Sequence, residues 1–240
     1  MEFEYYSPRI VLGIGAHADD IDFSASGSIA RWVDEGAEVH YLILTDGSSG
    51  SSDTSVSSEQ LVKERQEEQR NAAATLGAVE VHFLHYKDGA LENTLELRKD
   101  IVRMIRTIRP DTVIVFDPTF VYSSKLGFIN HPDHRAAGQA TLDGIFPLAR
   151  DHMSFPELFN EEKLQPHKVA HALLVNLETA NYYVDISKYL EKKFEGLFKH
   201  TSHIPDQLVI RERITERAKM LGQTSGFKYA EGFIRIDVPK

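Results

Sequence analysis

The sequence predicts an α/β fold: a mostly parallel, doubly wound, Rossmann-like sheet with helices on both faces, in a single domain. Three observations carry this expectation. Strand-like and helix-like segments alternate four times within the first 120 residues. The strand candidates are apolar almost throughout, which demands cover on both faces of the sheet. Gly36, Gly77 and Pro110 each close a helix candidate.

Residues 9–15, RIVLGIG, form an apolar run ending in glycine and read as a buried first strand. Residues 26–35 read as the first helix, with Ser26 as N-cap, Trp32 in its packed face and Gly36 just beyond. EVHYLILT (38–45) is the second strand, and the Gly/Ser-rich stretch 46–58 is a loop. A long helix follows over 58–76, ended by Gly77. VEVHFLHY (79–86) is the third strand, with His82 and His85 read as packing residues. In residues 94–109, Leu97, Ile101, Met104, Ile105 and Ile108 recur at helical spacing. TVIVF (112–116) is the fourth strand. Beyond it, strands are expected at 171–177, 181–186 and 232–238, and helices at 187–199 and 211–221. No repeat or linker divides the chain, so one domain is expected over 1–240, with its core at about 9–203 and a C-terminal helix and strand over 204–240.

A formal charge of −9 argues against nucleic acid or an anionic membrane as partner. With no cysteine, a metal site has to use histidine and carboxylate. The segment MEFEYYSPRI has neither a basic nor an apolar leader character, and no apolar run is long enough to span a bilayer. A cytoplasmic protein without membrane insertion is the expectation; monomer and homo-oligomer are both open.

In doubly wound sheets ligands sit beyond the carboxyl ends of the strands. The segment after the first strand carries His17, Asp19 and Asp20; the segment after the fourth leads to NHPDHRAAG, with His131 and His134. His131 and His134 are three apart, and Pro132 suits the first turn of a helix. A catalytic zinc takes three protein ligands, an open position for water and a nearby base. Five candidates therefore compete for four or five roles. A rival reading takes GIGAHA (13–18) as a dinucleotide-binding turn, but two carboxylates at that helix start would repel a pyrophosphate, and Asp34 and Glu35, which have the acidic spacing that reading needs, fall inside the predicted first helix instead of at the end of the second strand.

AHADDIDFSASGSIA (16–30) resembles the signature of the PIG-L/LmbE-like zinc-dependent N-deacetylases, and HPDHRAAG is similar to that family's second motif. TDGSSG (45–50), RQEEQRNAAATLG (65–77), YKDGAL (86–91) and KFEGLFKHTSH (193–203) extend the likeness. The resemblance implies His17, Asp20 and His134 as zinc ligands, Asp19 as general base and His131 as the group that polarises the substrate carbonyl. Arg65, Asp88, Asp46 and His200 are candidate substrate contacts by position: Arg65 lies on a charged helix whose face is equally readable as solvated, Asp88 and Asp46 follow strands where ordinary turn use is the rival reading, and His200 reads either as lining the site or as a surface histidine. Zn²⁺ is the expected cofactor, although a His/Asp set also accepts iron(II) or cobalt. The implied activity removes an N-acetyl group from an amino sugar or N-acetylglucosaminyl conjugate, so the partner is a small N-acetylated molecule. A zinc amidase for another N-acylated small molecule and a non-catalytic Rossmann-like nucleotide-binding module are the alternatives. Four positions depart from the family pattern: Ala18, Ser26, Ile129 (where relatives carry a tyrosine, for which Tyr122 is a candidate replacement) and His203 in place of glutamine.

Overall fold

A computed structural model describes residues 5–239; residues 1–4 of the MEFEYYSPRI segment and residue 240 lie outside the described residues. The expected α/β architecture is present. A seven-stranded sheet runs β3 (Glu80–Tyr86), β2 (Glu38–Thr45), β1 (Ile10–Gly15), β4 (Thr112–Phe116), β7 (His171–Val175), β9 (Ala230–Asp237), β8 (Tyr182–Asp185). The first five are parallel to one another, while β9 is antiparallel to both β7 and β8.

Apolar residues pointing to opposite faces of each strand build two cores. One holds Val11, Val39 and Tyr41 with residues of α1 (Asp20–Asp34), α2 (Ser58–Leu76) and α6 (Leu190–Leu197). The other holds Leu12, Leu42, Leu44 and Val113 with α3 (Leu95–Ile108) and α4 (Pro132–Ile145). The helix α7 (Gln207–Ser225) covers β8 and β9. Trp32 is buried in the first core, as expected.

The expected cap of α1 at Ser26 is corrected: the helix starts at Asp20, six residues earlier. Ser24 and Ser26 return their hydroxyls to the carbonyls of Asp20 and Asp22, one turn back. Such back-bonding lets serine sit inside a helix, so serine alone is a weak boundary signal. Two short elements carried no periodicity to read. These are the hairpin β5 (Tyr122–Ser123) and β6 (Phe128–Ile129), and α5 (Pro156–Asn160). His85 faces solvent, because β3 is an edge strand whose outer face is only partly covered.

β1 lies between β2 and β4, and the chain leaves β1 and β4 toward opposite faces of the sheet. That is the topological switch point, where a crevice opens beyond the strand ends.

Candidate active site

The turn after β1 is shaped by a missing side chain. A Cβ on Gly15 would lie 2.9 Å from the His17 carbonyl oxygen and 3.1 Å from Asp20 Cβ, so only glycine lets the chain turn this tightly. Asp19 follows with φ 83°, in the left-handed region, as the N-cap of α1. Its carboxylate does not cap the helix. Its backbone N–H donates instead to Gln69 Oε1 at 2.9 Å, which frees the carboxylate to face the crevice.

At the start of α4 a second turn supplies the other half. His131 is the N-cap, and its Nδ1 accepts from the Asp133 N–H at 3.2 Å, leaving Nε2–H as a donor into the crevice. His134 lies in the first turn. Its Nδ1 bonds Asn130 Oδ1 at 2.9 Å, so Nε2 presents a lone pair, and that lone pair lies 3.0 Å from Asp20 Oδ1. His17 repeats the pattern. Its Nε2 meets Asp133 Oδ2 and Asp88 Oδ1, each at 3.2 Å, while its Nδ1 faces Asp20 Oδ2 at 3.6 Å. Two imidazoles thus have one nitrogen each held by a supporting acceptor and the other turned to one carboxylate. A lone pair against a carboxylate oxygen requires a proton or a cation between them. Outer acceptors that fix ring orientation in this way are the usual support of metal-bound histidine. His17, Asp20 and His134 have ligand atoms within 4.8 Å of one another, and the donor set fits a divalent cation of the zinc class.

The electrostatics agree. Burial alone would lower the His17 pKa, but hydrogen bonds that its ring donates to Asp133, Asp20 and Asp88 hold it up at about 12. Burial opposes ionisation of Asp20, yet His134 and His17 depress its pKa below the ordinary carboxylate range. Burial and the Asp20 charge push Asp19 up to about 8. Burial and the charge of His17 push His131 down, so its neutral form prevails.

A cavity of about 690 Å³ opens at this cluster, ordinary for a small-molecule site. His17, Asp19, Asp20, His131 and His134 all line it, as do Arg65 and Asp88. Arg65 also donates to the carbonyls of Gly47 and Ser49, tying down the loop after β2. The other two candidate contacts, His200 and Asp46, do not line the cavity. His200 is 1% exposed and bonds Asp22 Oδ2 at 2.8 Å, behind the cavity wall. Asp46 accepts from the Ser48 and Asp88 N–H groups and steadies that turn instead of lining the cavity.

Sequence reasoning missed Asp133, Gln69, Asp22 and an apolar wall that includes Phe23, Ile186, Ile214 and Leu221. Asp133 was legible in principle, because it sits inside the motif. Gln69 gave no signal, being one polar residue on a polar helix. His203 reaches the rim, with Nε2 3.8 Å from Asp19 Oδ2 and Nδ1 3.4 Å from Arg65. The turn that carries it is held by Glu68, which accepts from Thr201 and Ser202.

The chain matches the family model described as PIG-L: GlcNAc-PI de-N-acetylase over residues 12–145, more than half its length and spanning both turns. It belongs to the PIG-L family. Among PIG-L relatives, it is 34% identical over 224 residues to the diacetylchitobiose deacetylase of Thermococcus kodakarensis, covering 92% of this chain and 81% of that one. The structure of N,N'-diacetylchitobiose deacetylase from Pyrococcus horikoshii, in complex with its inhibitor MPG, superposes with a TM-score of 0.86 at 30% identity, covering 96% of this chain and 84% of that one. GalB, the 4-carboxy-2-hydroxymuconate hydratase of Pseudomonas putida KT2440, superposes with a TM-score of 0.76 at 19% identity, covering 97% of each chain. That likeness shows the fold alone, and a hydratase on a shared fold means the PIG-L assignment of chemistry rests on the site. Among the described residues no helix is long and apolar enough to cross a membrane.

Proposed function

We propose that this chain is a zinc-dependent N-deacetylase acting on N-acetylated amino sugars or their conjugates. The observation that carries the reading is the pair of imidazoles, His17 and His134, whose inner nitrogens converge on Asp20 in a cavity that Asp19 and His131 also line. Membership of the PIG-L family and the likeness to diacetylchitobiose deacetylases support the substrate class.

In this reading His17, Asp20 and His134 hold the cation. Bound there, a zinc-class ion supplies Lewis acidity, which acidifies water and draws electron density from an amide carbonyl. Asp19, left free of the helix by its backbone conformation, takes a proton from the attacking water. The water oxygen bonds the acetamide carbon, and negative charge gathers on the former carbonyl oxygen. His131 is neutral with Nε2–H directed into the cavity, and it donates to that oxygen. The C–N bond then breaks and the nitrogen takes a proton from protonated Asp19, giving acetate and a free amine. In this reading Arg65 and Asp88, which line the cavity, bind sugar hydroxyls.

Substitution of Asp19 by Asn should leave zinc content unchanged and reduce kcat on N,N'-diacetylchitobiose by about 10²–10⁴-fold. Full activity in that variant would overturn the role of Asp19. Failure of the wild-type, zinc-loaded protein to release acetate from any N-acetylglucosamine derivative would overturn the substrate class.

A further inference from the structure

A second group of metal-ligating side chains lies at the opposite end of the sheet. His40 on β2 is in register with Glu80 on β3, and Leu42 is in register with His82. Side chains alternate along a strand, so His40, Glu80 and His82 share one face, the one covered by α3. His40 lies five residues before the catalytic end of β2 at Thr45, about 17 Å at a strand's rise per residue. The cluster is therefore separate from the cavity, and none of its members lines it.

The two imidazole rings stack nearly parallel, with centroids 5.7 Å apart and planes at 18°. His40 Nδ1 and His82 Nε2 are both buried and have no hydrogen-bond partner among the described residues. Native proteins rarely leave buried polar nitrogens unpaired, and two in adjacent rings require an explanation. Rings in this arrangement cannot satisfy one another, since in-plane lone pairs of stacked rings do not meet head-on. A shared proton is also disfavoured: burial and the neighbouring His82 lower the pKa of His40, so the neutral, ligating form prevails. Glu80 places Oε2 3.6 Å from His82 Nε2, and the three residues have ligand atoms within 4.8 Å of one another. Glu80 is solvent-exposed, which gives an ion a route in.

We propose that His40, Glu80 and His82 form a second site for a divalent transition cation of the zinc class, bound independently of the catalytic cluster. Two neutral imidazoles and one carboxylate are the donors such ions select, whereas magnesium and calcium prefer an all-oxygen set. An ion held by these three side chains would tie the edge strand β3 to its neighbour β2. The site is assigned a binding role, and deacetylation does not depend on it.

The test is zinc titration by calorimetry of chelator-treated protein, with metal content measured after dialysis. Asp20→Asn, which disables the catalytic cluster, should still bind one equivalent of zinc. Adding His40→Gln and His82→Gln to that variant should abolish the remaining equivalent. Glu80→Gln changes an exposed side chain without threatening the core and should weaken the second equivalent at least tenfold. In the otherwise native protein, His82→Gln should remove one of two equivalents and leave kcat within twofold. The proposal is overturned if Asp20→Asn binds no zinc, or if the second equivalent persists in the His40→Gln, His82→Gln chain.

Discussion

At the level of single residues, the site is defined by which atoms are already occupied. Asn130 and Asp133 hold the outer nitrogens of His134 and His17, and both inner nitrogens turn to Asp20. Without a cation, burial opposes the charge on His17 but the carboxylates of Asp133, Asp20 and Asp88 outweigh it and favour the protonated ring. If it is a ligand, that proton has to leave when the metal enters. The sign follows: higher pH favours the deprotonated ring, so affinity should rise with pH by about tenfold per unit for each proton released. Calorimetric zinc titration at pH 7 in two buffers of different ionisation enthalpy should show at least about one proton released. A value of zero would overturn this account of how His17 is protonated. That His17, Asp19, Asp20, His131 and His134 meet in one cavity was legible in the sequence because two short motifs fall after strand ends. Their supports were not. Gln69 and Asp22 act through hydrogen bonds that cross between helices, and such pairings leave no periodic trace. The burial of His200 against Asp22 was not legible for the same reason, since adjacency to a motif does not reveal which way a side chain turns.

At the level of elements, strands and helices were legible because burial on two faces imposes an unbroken apolar run and helical packing imposes a 3.6-residue spacing. The hairpin β5–β6 and the start of α1 were not, since turn geometry decided both. The placement of α4 depends on one close approach. A Cβ on Gly138 would lie 2.3 Å from the Phe116 carbonyl oxygen and 3.0 Å from Pro118 Cδ. Backbone cannot yield there as a flexible side chain would. Gly138→Ala should therefore push α4 off β4 and destabilise the protein by about 1–3 kcal/mol, readable as a lowered denaturation midpoint. Because His131 and His134 sit at the start of the same helix, kcat should fall in the surviving folded protein. Wild-type stability together with wild-type kcat would show that the approach is not rigid.

At the level of the whole molecule, the one-domain expectation makes its own prediction. Chelator-treated protein should unfold in a single cooperative transition by heat, coincident by near- and far-ultraviolet circular dichroism; two separated transitions would contradict it. Zinc at about a hundred times its dissociation constant should raise that midpoint by roughly 5–10 °C, the shift expected from about 2.7 kcal/mol of added stability in a chain of this size. The sheet order carries a further consequence, for the timing of assembly. Donors from residues 17 and 20 and from residue 134 meet only after β4 has paired beside β1, a closure of about a hundred residues of intervening chain. Two of the three donors are thus present long before the third can reach them, and ion capture becomes a late event in folding. Saturating zinc should then leave the refolding rate unchanged and slow only unfolding, making the ion a clasp on the finished topology instead of a seed for it.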